Sequence, residues 1–259
     1  MVKVKMFDSK EAQHSARRRE EAPEVDSKAF YDVLESRRSV RIFSNDAVPE
    51  ATMRRCLEAA LLAPTSSNLQ TWELHWVRDT VKKQALVEAC LGQPAAATAQ
   101  ELVVFVARPD LWKRNNSWML THLKASPETP AKALQYFGKI TKIVYNQGPW
   151  SLYRPFKWVW FFVRGLSKAT PREPIHAGQM RTWAHKTTAL AAQNFMLAVR
   201  AEGFDSCPME GLDSFRVKRI LNLPRAAGIT MVVSVGKRAE RGIYGPRFRF
   251  DSAHFIHEH

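Results

Sequence analysis

The chain has 259 residues, 45% of them hydrophobic and 25% charged, a globular balance that suffices for one large domain and excludes wholesale disorder. Its net charge is +14, which points to anionic ligands or surfaces. The cations are scattered, with knots at Arg17-Arg18-Arg19 and Arg37-Arg38. No zinc-finger spacing or RNA-binding signature accompanies them, so nucleic acid is not an expected partner.

Residues 1–25 are polar and charge-dense and read as an arm, with a single domain expected over 26–259. Asp26-Ser27 offers a helix N-cap, and Phe30, Val33 and Leu34 follow at helical spacing, predicting a helix that ends near Ser36. Val48-Pro49-Glu50 opens a second helix whose apolar stripe is Met53, Cys56, Leu57, Ala60 and Leu61, stopped by Pro64. A polar loop follows, and then Trp72, Leu74 and Trp76 alternate as in a strand. A third helix is predicted over 80–91, ended near Gly92.

The apolar runs 102–107 and 229–235 suit strands covered on both faces. Between them a long helix is predicted from about Trp183 to Glu202, closed by Gly203 and apolar nearly all round from Leu190 to Val199. A last helix is expected over Phe215–Leu221. Residues 108–182 hold Trp112, Trp118, Trp150, Trp158 and Trp160 and many cations, with Asp110, Glu128 and Glu173 as the acids. Within them 132–145 is predicted helical, and Pro149, Pro155, Pro171 and Pro174 are expected to break the rest. The most hydrophobic stretch, 158–163, is bracketed by Lys157 and Arg164 and is far too short to span a bilayer.

Cys56, Cys90 and Cys207 are odd in number and form no Cys-x-x-Cys pair, and no secretory signal is visible, so a reducing, cytoplasmic setting is expected. Cys56 reads as a small core residue, and Cys207 as packing in preference to a redox thiol. His254, His257 and His259 read as a polar tail, and no metal site is expected.

Two segments carry chemistry. In Ser36-Arg37-Arg38-Ser39-Val40-Arg41, three guanidinium groups and a hydroxyl at a helix exit read as a phosphate seat. Pro64-Thr65-Ser66-Ser67-Asn68-Leu69-Gln70-Thr71-Trp72 is a loop of hydroxyls and amides suited to bonding a flat heterocycle, although by itself it equally describes an ordinary helix-to-strand loop. Together they suggest a phosphorylated aromatic cofactor.

These segments, in order with Pro208-Met209-Glu210-Gly211 and Arg247-Phe248-Arg249, resemble the FMN-dependent nitroreductase family over about 28–107 and 183–250. Thr65 stands where that family usually has serine, and Thr71 where it usually has proline. The resemblance implies an α+β fold: a three-layer α-β-α sandwich around a mixed, mainly antiparallel sheet, in an intertwined homodimer. It implies FMN as cofactor and NADPH or NADH as electron donor.

Arg37, Arg38, Ser39 and Arg41 would meet Arg247 and Arg249 on the phosphate and ribityl chain. Asn68, Gln70 and Gln93 would bond the isoalloxazine edge, with Pro64, Thr65, Ser66 and Asn68 serving the partner's cofactor. Pro208, Met209, Glu210 and Gly211 would lie on the ring, the backbone N–H of Glu210 facing flavin N5. Hydride would pass in ping-pong fashion to an electrophile such as a nitroaromatic or quinone, with no catalytic side chain required. Two alternatives stand beside this: a specialised relative (reductive dehalogenase or enoyl reductase) with 108–182 as an enlarged insert and active-site lid, and a peripheral membrane-binding flavoprotein in which Trp150 to Lys168 meets the lipid.

Overall fold

The computed structural model describes residues 21–148 and 152–259. Most of the expected arm, including Arg17–Arg19, and Trp150 lie outside the described residues.

Four strands, β1 (Trp72–Trp76), β2 (Glu101–Ala107), β3 (Asp205–Met209) and β4 (Gly228–Gly236), form an antiparallel sheet in the order β1-β2-β4-β3. Among the described residues its mixed character is limited to one parallel bridge, Ser39 with Ser206. The continuous apolar run of β2 has the reason expected: both faces are covered. Leu102, Val104 and Val106 enter one core with Val40, Leu86, Ala96, Cys207 and Val217. Val103 and Phe105 enter the other with Met53, Cys56, Phe195 and Val199. Phe105 and Phe195 are fully buried with ring centroids 5.4 Å apart, so truncating Phe105 to alanine would cost about 3–5 kcal/mol.

The helices supplying these layers follow local signals. α1 (Ser27–Ser36) is capped by Asp26, whose carboxylate accepts from the Ala29 N–H. α2 (Glu50–Leu61) buries Met53, Cys56 and Ala60, but Leu61, assigned above to its apolar stripe, is 50% exposed at the last turn. α3 (Thr80–Ala89) ends as expected before Gly92, which has φ +62°, and a short α4 (Pro94–Ala97) follows.

The long helix α9 (Ala177–Ala201) begins about six residues earlier than its apolar periodicity announced. His176 caps it by accepting from the Gly178 N–H, and Met180 is buried against Leu69, Trp112 and Tyr145. Tertiary cover, not local pattern, sustains those first turns. Pro208 and Met209 lie in edge strand β3 and not in a loop; an edge position tolerates a proline with no ladder N–H. α10 (Ser214–Ile220) is capped by Asp213.

The insert is helical throughout most of its described length. α5 (Trp112–Ala125) leads to α6 (Ala131–Gln135), a π turn (Tyr136–Ile140) and α7 (Thr141–Tyr145). Pro155 does not break the chain; it occupies the first turn of α8 (Arg154–Gly165), where a missing N–H costs nothing.

Candidate functional site

The arginine segment leaves α1 in extended conformation and is pinned to the sheet by Val40, whose N–H donates to the Ser206 carbonyl at 3.2 Å. The C-terminal strap returns to it. The Arg41 N–H donates to the Gly242 carbonyl at 2.7 Å, and a Cβ at Gly242 would stand 2.4 Å from the Ile42 carbonyl, so only glycine permits this approach. Arg38 Nη2 donates to the Gly245 carbonyl, and Arg247 Nη2 to the carbonyls of Glu35 (2.7 Å) and Arg37. Arg247 thus satisfies a backbone acceptor left open at the end of α1.

Between segment and strap lies a cavity of about 290 Å³. It is lined by Arg37, Arg38, Ser39, Arg41, Arg247 and Arg249 together with 243–246 and Phe248. No carboxylate lines it, and among the described residues none pairs with these five arginines. Burial, then Arg247 and Arg249, pushes the Arg37 guanidinium below its ordinary range, and its Nη1 is buried without a partner. The cavity thus gathers five guanidinium groups, one of them with a buried donor left unpaired, an arrangement that is costly without a partner.

The Pro208–Gly211 segment runs off the edge of β3. Gln93 Nε2 donates to the Gly211 carbonyl at 2.7 Å and to the Cys90 carbonyl at 3.1 Å, which ties Gln93 to this segment. Glu210 is exposed, and its N–H donates to no backbone acceptor among the described residues. Cys207 is buried, and burial raises its thiol against the opposing effect of Arg41 and Arg37; it packs and does not present a thiolate.

Sequence reasoning missed His185, which packs beside Gly228 and whose Nδ1 lies 2.9 Å from Thr230 Oγ1, at a bulge where Phe105 pairs with Met231 but Val106 with Ile229. Burial, then Arg181, lowers its pKa, and Glu210 opposes them. Only the fold brings these groups together.

The Pro64–Gln70 loop stands apart from the arginine cavity, and none of its residues lines it. Asn68 and Gln70 face a separate cavity of about 570 Å³, with Leu57, Trp72, Trp118 and Met119. Ser67, Asn68 and Gln70 have φ of 54°, 48° and 44°, a left-handed run unusual without glycine. The loop is held from behind: Thr65 Oγ1 accepts from the Gln70 N–H, and Asn115 Nδ2 donates to the carbonyls of Leu69 and Gln70. Tyr145 Oη lies 3.1 and 3.0 Å from Ser66 and Ser67 Oγ, and Tyr136 Oη 2.7 Å from Ser67 Oγ. Nine residues apart on a straight α-helix, the two tyrosines would face opposite sides; the wider π turn between them narrows that angle. No local signal marks either tyrosine as a clamp.

Helical layers on both faces of an antiparallel sheet define the class of fold, and the comparisons agree. The nitroreductase family model matches residues 34–237. The chain belongs to the nitroreductase family. It is 33% identical over 213 residues to a protein of Thermus thermophilus named NADH dehydrogenase, covering 80% of this chain and 85% of that one. It is 29% identical over 211 residues to protein DrgA of Synechocystis, covering 81% and 84%. Among solved structures, a nitroreductase-like protein of Streptococcus mutans superposes with a TM-score of 0.68 at 23% identity, covering 89% and 98%. A protein of Exiguobacterium sibiricum solved in complex with FMN gives 0.63 at 19%, covering 89% and 97%.

Proposed function

We propose that this chain is an FMN-dependent oxidoreductase that passes a hydride from NADPH or NADH to an electrophilic acceptor such as a nitroaromatic or quinone. The observation that carries the reading is the buried, unpartnered Nη1 of Arg37 in a cavity of arginines without carboxylates. A phosphate monoester dianion matches that donor set. Arg37, Arg38, Ser39, Arg41, Arg247 and Arg249 hold the phosphate and polyol. Gln93 and Pro208–Gly211 border the ring, with the Glu210 N–H as a donor toward it.

In this reading Pro64, Thr65, Ser66, Asn68 and Gln70 serve the cofactor of a second copy, because within one chain they face elsewhere. FMN, when bound, supplies a ring that accepts a hydride and returns it. The chain's part is to seat the anion and orient the ring. Trp118 and Met119 of the insert line the cavity beside Asn68 and so help shape what the acceptor meets.

The test is the visible spectrum of the purified protein under anaerobic conditions. A yellow protein that NADPH or NADH bleaches, and that quinone recolours, is expected. A colourless protein that takes up no added FMN overturns the reading.

A further inference from the structure

Helix α8 is amphipathic in the reverse of the usual sense. At about 100° per residue, Lys157, Phe161 and Arg164 share one seam. That seam faces the protein: Phe161 is 4% exposed, and Lys157 Nζ donates to the Val144 carbonyl at 2.8 Å. The rest of the circumference is Phe156, Trp158, Val159, Trp160 and Phe162, continued by Leu166, each between 46% and 76% exposed. Trp158 and Phe162 stack at 5.4 Å, which makes the patch one continuous apolar surface. Soluble proteins rarely leave such a surface to water.

The surrounding charge decides what covers it. Residues 108–182 carry thirteen lysines and arginines against Asp110, Glu128 and Glu173, and Asp110 is paired with Arg108. Lys168 and Arg172 follow the helix, are exposed, and pair with no carboxylate among the described residues; Arg172 folds back over Gly165. Two copies of this face would bring like charge together, whereas an acidic surface would neutralise it. The amphipathic rings of Tyr153, Trp158 and Trp160 suit the headgroup level of a bilayer. No helix among the described residues is long and apolar enough to cross a membrane, so α8 lies along the surface.

We propose that α8 is an in-plane anchor, its apolar arc seated at the headgroup boundary of a bilayer containing acidic lipid, with Lys168 and Arg172 on the lipid phosphates. Acidic lipid and apolar burial then contribute jointly, as two-signal anchoring requires.

The test mixes the full-length protein at low salt with sedimentable vesicles of phosphatidylcholine, with and without phosphatidylglycerol. Co-sedimentation is expected with the acidic vesicles, falling as salt rises, with a blue shift of tryptophan emission. Trp158→Ser with Phe162→Ser should lower partitioning about tenfold or more, and Lys168→Glu with Arg172→Glu should abolish the preference for acidic lipid. Circular dichroism and the visible spectrum report that each variant is folded. Failure of the parent protein to co-sediment at low salt overturns the proposal. So does unchanged sedimentation of both folded variants. A third contrary result is an apolar double variant that turns dimer to monomer in analytical ultracentrifugation while still binding vesicles, which would make α8 a contact between copies.

Discussion

Arg37 is half buried beside Arg247 and Arg249, an arrangement that costs the free protein stability and that, on the proposed function, an incoming phosphate would relieve. Removing the charge should therefore separate stability from binding. Arg37→Gln is expected to raise the melting temperature of the cofactor-free protein by about 1–3 °C. The same change should weaken FMN binding about 10–100-fold, the value of one or two charge-assisted hydrogen bonds. Thermal unfolding and flavin-fluorescence titration measure the two, and a lower melting temperature with unaltered affinity would refute the account. The thiols are the opposite case. Burial pushes Cys56 and Cys90 up to about 11, so iodoacetamide at pH 8 should leave both unmodified in the native protein and label them in urea, as read by mass spectrometry.

At the scale of elements, α5, the π turn and α7 of the insert grip the 64–70 loop. Tyr145→Phe keeps the ring between Trp112 and Trp183 but deletes the hydroxyl shared by Ser66 and Ser67. A loss of about 0.5–1.5 kcal/mol in urea unfolding is expected, with Tyr136→Phe alike. α8 has its own signature. Burial lowers Lys157 to about 8 from an ordinary 10.5, so between those values the unfolded chain holds a proton that the folded chain has released. Stability should rise with pH across that window, and Lys157→Met should flatten the rise in chemical-denaturation midpoints. Elements set by local pattern were readable in advance: the apolar runs of β2 and β4, the Asp26 cap, the stripe of α2. Those set by remote cover were not. The first turns of α9 rest on Met180 packing against the insert, β3 is short and contains Pro208, and α8 carries its apolar face outward, so no burial pattern announced its attachment.

For the whole molecule, the proposed assembly makes a complementation prediction. If the 64–70 loop serves a second copy, Arg37→Ala and Asn68→Ala homodimers are each defective at both sites. A mixed dimer concentrates both defects in one site and leaves the other intact. Unfolding and refolding the two variants together should recover NADPH-dependent quinone reduction that neither shows alone; no recovery would mean the loop acts within its own chain. Sequence order explains how the arginine cluster was legible. Arg37–Arg41 and Pro64–Gln70 are contiguous motifs, whereas the meeting of the first cluster with Arg247 and Arg249 was expected from the family resemblance alone, and nothing local to Arg247 announces its closure onto the Glu35 carbonyl, 212 residues away. That closure has a bearing on how the cavity comes to exist. One of its walls is the 243–249 strap, so the cavity is absent until the strap has returned to the Arg37–Arg41 segment. Truncation after Gly245 is therefore expected to leave the four-stranded sheet paired and the purified protein colourless, as its visible spectrum would read.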